Sequence, residues 1–137
     1  MDLPSFSLAH WCIFLAALLP IVCAGIAKSG MMTISPREGG YDNSDPRAWL
    51  ARQSSWRARA NSAQANSFEA LPFFFAAVLA AQHLQAPALI LDLLAVTFVL
   101  LRVLYIYCYL IDRAGLRSVM WSLAFLVNVA ILFLGFR

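Results

Sequence analysis

Seven side chains in this sequence have the types and spacing to bind an anion: Arg59, Asn66, Glu69, Arg102, Tyr105, Tyr109 and Arg117. Arg59, Asn66 and Glu69 are separated by seven and three residues, which on a helix places them near one face, with Asn66 and Glu69 one turn apart. Arg102, Tyr105 and Tyr109 follow at intervals of three and four, again one face, and Arg117 opens the next apolar segment. Guanidinium groups, tyrosine hydroxyls and an amide suit a small ligand bearing carboxylates, and one glutamate could hold an ammonium. The sequence offers no nucleophilic triad, phosphate-cradling loop or metal-ligand cluster. Two accounts of these residues stand side by side. In the plainer one Glu69 pairs with Arg102 to pin two helices together, the tyrosines sit at headgroup level and Arg117 is a topogenic charge. In the sharper one all of them line a single polar pocket that opens towards the cytoplasm.

The segments that must carry these residues are mostly apolar. Of 137 residues, 62% are hydrophobic and 12% charged, against roughly 45–50% and 25% in soluble domains. That much apolar surface calls for lipid as its solvent. Inside lipid only helices or a closed barrel satisfy every backbone polar group, and the long apolar runs lack the alternation of barrel strands. The expected fold is all-α: a membrane-embedded four-helix bundle of up-down topology, in a single domain over residues 1–137. Its spans are expected at about 8–27, 66–85, 88–111 and 117–136, each near the ~20 residues needed to cross. The first has no basic residue before it and is read as a retained span rather than a signal peptide. Gln82, His83, Gln85 and Pro87 mark a short turn at a membrane surface between the second and third spans.

Residues 28–65 form the one long polar segment. Its first half reads as loop; from Pro46, with Asp45 as N-cap, a helix is expected to continue unbroken into the second span. Lys28, Arg37, Arg47, Arg52, Arg57 and Arg59 lie in this first link and Arg113 and Arg117 in the third, so both links are expected to face the cytoplasm, with Arg137 a minor dissent. The net charge of +3 then requires no nucleic acid partner. Cys12, Cys23 and Cys108 lack metal-site spacing and read as buried small hydrophobes, and His10 and His83 as interface residues.

The stretch from Ser62 through Asn66 and Glu69 to Pro72, the Arg102–Tyr105–Tyr109 series, and Leu116-Arg117-Ser118 with Trp121 together resemble the signature of the MAPEG family, membrane-associated proteins in eicosanoid and glutathione metabolism. The element from Tyr41 to Arg47 is similar to that of its short bacterial members. The resemblance covers nearly the whole chain.

It implies a homotrimer of four-helix subunits in the bacterial inner membrane, with glutathione as co-substrate between neighbouring subunits near the cytoplasmic side and a hydrophobic small molecule taken from the lipid. Carried over, Asn66 and Glu69 match the family's glutathione contacts on its second helix. Arg102, Tyr105 and Tyr109 match those of its third, and Arg117 matches the arginine that activates the thiol. Such a role is physically sound: a thiol with a pKa of about 8.5 is only a few per cent thiolate at neutral pH, and a guanidinium beside it favours the nucleophilic form. The reaction implied is glutathione transfer to electrophiles or reduction of lipid hydroperoxides. Three positions depart from the family pattern: Ser62 where members usually have Arg, Ala70 where some have Tyr, and Trp121 where others have Tyr. Arg59, one turn before Ser62, is the candidate to replace the missing arginine. Ser62 and Ala70 also keep open a rival reading, a non-catalytic membrane scaffold or lipid-binding trimer of the same fold that has lost glutathione binding.

Overall fold

A computed structural model describes residues 6–136; Arg137 lies outside them. The described residues fold into helices and turns without strands: α1 (Leu8–Lys28), α2 (Pro46–Ala51), α3 (Ser55–His83), α4 (Ala88–Leu110) and α5 (Ala114–Phe133), with a short 3-10 turn at Pro36–Glu38. Three of them, α1, α4 and α5, are long and apolar enough to cross a membrane. The longest, α3, is not among these; its first half carries Arg57, Arg59, Asn61, Gln64, Asn66 and Glu69.

The N-cap and first helical position fall where expected, Asp45 accepting from the Ala48 amide at 3.2 Å with Pro46 next to it. The unbroken helix does not. The helix beginning at Pro46 stops at Ala51, and Ser55, with φ 57°, starts α3 in a new direction. The turn lets Trp49 leave the α3 axis and become buried, its ring edge-on to Tyr41 at 5.3 Å. Gln53 Nε2 donates to the Trp49 carbonyl at 2.9 Å, adding to the bond that carbonyl accepts from the Arg52 amide at 3.2 Å.

The two tight connections use one device. After α3, Gln85 takes a left-handed conformation while its amide bonds the Gln82 carbonyl and the Ala86 amide bonds that of Ala81. After α4, Asp112 does the same, with bonds from Asp112 to Tyr109 and from Arg113 to Cys108. Both are Schellman caps, which close a helix and reverse the chain within a few residues.

Small residues set how closely the helices approach. The buried positions of α1 are Ala9, Cys12, Ala16, Pro20, Cys23 and Ala27, at intervals of three and four, and those of α3 include Ala60, Ala63, Ser67, Ala77 and Ala81. Stripes of this kind allow close helix approach in lipid, where packing rather than water exclusion drives association. The bulk of the core comes from Phe74 and Phe98, stacked with centroids 4.1 Å apart.

Polar contacts tie the helix ends. At one end Arg57 Nη1 donates to the carbonyls of Ala27 (2.9 Å) and Ser29 (2.7 Å), and Arg59 Nε to that of Leu110 (3.1 Å). The start of α3 thus covers the carbonyl ends of both α1 and α4. At the other end Asp92 Oδ1 accepts from the Ala9 amide at 2.8 Å, so an acidic residue of α4 caps α1 where the helix dipole favours it. Successive long helices therefore run in opposite directions. Phe98→Ala is expected to cost about 3–5 kcal/mol, as truncation of a buried aromatic does, and to show as a lowered midpoint of SDS or thermal unfolding in detergent.

Candidate functional site

The buried stripe of α4 runs Leu91, Ala95, Phe98, Arg102 and Tyr105 at intervals of four and three. Its fourth member is a cation only 2% exposed. A guanidinium taken out of water needs hydrogen-bond acceptors, and α3 supplies them: Arg102 Nη2 donates to Asn66 Oδ1 at 2.9 Å and lies 3.5 Å from Ser67 Oγ. The Asn66 amide in turn donates to Glu69 Oε2 at 3.1 Å. Asn66 therefore stands between the two charges, in place of the direct Glu69–Arg102 pair considered from sequence.

From Arg102 a ladder of cations and rings leads to the start of α5. The Arg102 guanidinium sits 4.3 Å from the Tyr105 ring centroid, Tyr105 meets Tyr109 edge-on at 5.7 Å, and the Arg117 guanidinium lies 4.3 Å from the Tyr109 centroid. The outer two steps are cation–π contacts, stronger where water is excluded, and the middle one is an edge-to-face ring pair. Tyr105 is buried against Cys23 of α1 and Ala63 of α3, which fixes its ring. Arg117 is half-buried. Stacking occupies its flat face and leaves the edge donors for another group.

Two recesses flank the ladder. One, of about 190 Å³, lies among α3, α4 and α5; Asn66, Glu69 and Arg102 line it together with Phe73, Phe98, Phe125 and Asn128. The other, about 210 Å³, is bordered by Tyr105, Arg117, Ser118 and Ser122. Trp121, stacked on Phe125 at 5.6 Å, lines both. Six of the seven candidate residues are thus brought together: three on the inner recess, Tyr105 and Arg117 on the outer, and Tyr109 between those two as a rung of the ladder. Arg59 is placed apart, its Nε held by the Leu110 carbonyl. Of the positions that break the family pattern, Ser62 is exposed on α3 and Ala70 lines the inner recess.

Sequence reasoning did not single out Ser67, Gln64 or Asn128. Ser67 is buried beside Arg102. Gln64 Oε1 and Asn128 Oδ1 are buried acceptors with no hydrogen-bond partner among the described residues. Asn128 was detectable as the sole amide in an otherwise apolar run. Together these groups form a site with cationic donors, aromatic walls and a deep apolar side. Asn66→Ala strips the main acceptor from a buried guanidinium and is expected to lower stability by about 1.5–3 kcal/mol, the range for hydrogen bonds to charged groups. The same change at exposed Ser62 is expected to stay within about 0.5 kcal/mol. Equilibrium unfolding in detergent measures both.

Compared with known proteins, residues 8–137 match the model of the MAPEG family. No curated protein and no solved structure matches the chain. A match over nearly the whole length, together with three helices apolar enough to cross a bilayer, makes the chain an integral membrane protein that belongs to the MAPEG family.

Proposed function

We propose that this protein is a membrane-bound glutathione transferase or peroxidase that draws an apolar second substrate from the bilayer. The observation that carries this reading is the ladder from Arg102 to Arg117 beside the Asn66–Glu69 pair. It gathers donors for carboxylates, an acceptor for an ammonium and a guanidinium with open edge donors next to an aromatic wall, which matches the chemistry of an anionic, thiol-bearing tripeptide.

Glutathione supplies the thiol nucleophile and, for a peroxide, the reducing electrons. The chain's own residues do the rest. Arg117 stabilises sulfur as thiolate, and as an arginine it stays charged where a lysine could lose its proton. Tyr109 holds the Arg117 guanidinium in place by stacking. Arg102, Asn66 and Glu69 fix the peptide end, and Arg59 steadies the cytoplasmic rim through the end of α4. In conjugation a carbon–sulfur bond forms and the leaving group departs with its electron pair. In peroxide reduction two thiols become one disulfide while the O–O bond breaks to alcohol and water.

The reading includes an assembly. We place α3 across the bilayer as the fourth helix of an up-down four-helix bundle, in a homotrimer in a bacterial inner membrane with the basic links facing the cytoplasm. Exposed Leu116, Val119, Leu123 and Leu126 of α5 support an apolar surrounding. A second reading has its own observation: exposed Ser62 and small Ala70 contribute no cation or hydroxyl to the site, as in a scaffold that has lost glutathione.

Two measurements separate them. Purified protein is expected to accelerate addition of glutathione to 1-chloro-2,4-dinitrobenzene, and Arg117→Ala to reduce that rate about a hundredfold or more, as loss of a charge-stabilising donor does. Glutathione at 100 times its dissociation constant is expected to add about 2.7 kcal/mol to stability in detergent. Absence of both the rate and the stabilisation establishes the scaffold.

A further inference from the structure

The link from α1 to α3 leaves the bundle and returns to it at one level. Arg57, in the first turn of α3, donates to the carbonyls of Ala27 and Ser29 at the end of α1, which holds both ends of the link at the rim of the apolar layer. Between them the chain is folded on itself. The Met31 amide donates to the Lys28 carbonyl at 3.0 Å, the Tyr41 amide to the Met31 carbonyl at 2.9 Å, and the Gly40 amide to the Ser35 carbonyl at 2.9 Å. Gly40 passes so near the Ile34 carbonyl that a Cβ there would collide with it. In this closed loop Met32 is nonetheless 71% and Ile34 38% exposed. The fold turns two apolar side chains outward at the level where α1 ends.

The charges around them divide unevenly between local work and the outside. Residues 28–59 carry six cations and three carboxylates. Asp42 Oδ1 accepts from the Ser44 amide at 2.9 Å and Asp45 Oδ1 from the Ala48 amide at 3.2 Å, so two of the carboxylates serve the neighbouring backbone and Glu38 is the third. Among the cations, Arg57 and Arg59 are engaged by helix-end carbonyls, and Lys28 Nζ lies 4.5 Å from the Tyr41 ring centroid. Arg37, Arg47 and Arg52 are the other three, and all are exposed. Apolar side chains among basic ones, tethered beside a bilayer, suit an anionic headgroup layer, where apolar burial and charge attraction act together. A second copy of the link would bring the same excess of positive charge, and a zwitterionic surface would offer the arginines no net attraction.

We infer that the α1–α3 link is a lipid-docking surface, with Met32 and Ile34 entering the headgroup layer of the leaflet it borders and Arg37, Arg47 and Arg52 binding the phosphates of anionic glycerophospholipids there. None of these five residues lines either recess. The surface depends on the protein's place in a membrane and is independent of the glutathione reading.

A nitroxide attached at Met32→Cys reports the depth of the loop, since Cys12, Cys23 and Cys108 are buried. The labelled full chain is compared in nanodiscs of phosphatidylcholine alone and of phosphatidylcholine mixed with phosphatidylglycerol. In the mixed lipid the label is expected to be shielded from a water-soluble relaxation agent and accessible to oxygen, and in phosphatidylcholine alone to remain in water. The ratio of docked to undocked label is expected to fall about fivefold for each of Arg37→Gln, Arg47→Gln and Arg52→Gln, and to fall further as salt is added. An unchanged unfolding midpoint checks that these surface changes leave the bundle intact. Equal depth in the two lipids, or a triple glutamine variant as deeply placed as its parent, overturns the assignment. Immobilisation of the label in detergent overturns it too, identifying a second copy if it grows with protein concentration and a site for free anions if it follows added inorganic phosphate.

Discussion

The structure is organised around a guanidinium with almost no access to water. Arg102 is 2% exposed, and a lone cation in such a place would be too costly to keep. Its neighbours are arranged accordingly. Asn66 and Ser67 of α3 accept from it, Tyr105 covers its face, and Glu69 supplies negative charge one hydrogen bond further out. These partners fix the register of α3 against α4, since a slip of one residue on either helix would turn Asn66 away. The apolar half of the interface, with Phe74 stacked on Phe98, is compatible with that register but would tolerate others, because rings and alanines are less particular about partners.

That arrangement explains how a polar site coexists with an apolar protein. The guanidinium is held directly by neutral acceptors and an aromatic face, with the Glu69 carboxylate one residue removed, and the Tyr105–Tyr109 ladder leads from it to Arg117. Rigidity follows as well. Tyr105 is wedged by Cys23 and Ala63, so the ladder needs little reordering to meet an anion, and preorganisation of this kind is what makes fixed charge effective in a site shielded from water.

Much of this was legible in the sequence, for reasons that differ from residue to residue. The three-and-four spacing of Arg102, Tyr105 and Tyr109 maps onto one helical face, and the structure shows the consecutive contacts such spacing implies. Asn66 and Glu69, one turn apart, likewise meet. Arg59 shares their spacing but sits seven residues from Asn66, about 10 Å along the axis. At that height the nearest acceptor is the carbonyl end of α4, and a long flexible side chain takes it. Periodicity gives a direction around the helix and is silent about what stands at each height. The break between α2 and α3 was missed for a related reason: the alanines and arginines around it favour continuation, whereas the structure ends α2 at Ala51, caps α3 with Ser54 and packs Trp49 against Tyr41. Asn128 escaped notice inside an apolar run, although a single amide among valines and leucines is itself a signal in a membrane helix.

Arg57 and Arg59 give the bundle one more property. The long helix that carries them is not apolar enough to cross by itself, and three of its polar residues, Arg57, Arg59 and Asn66, have partners on α1 and α4. With α3 placed across the bilayer as proposed, its polar atoms would face lipid until both neighbours are in place. Since α4 follows α3 in the chain, that placement calls for a segment made after α3. The proposed four-span arrangement therefore implies a biogenesis that departs from strict N-to-C order, with the α3–α4 hairpin entering as a unit and bringing Asn66 to Arg102 in the same step.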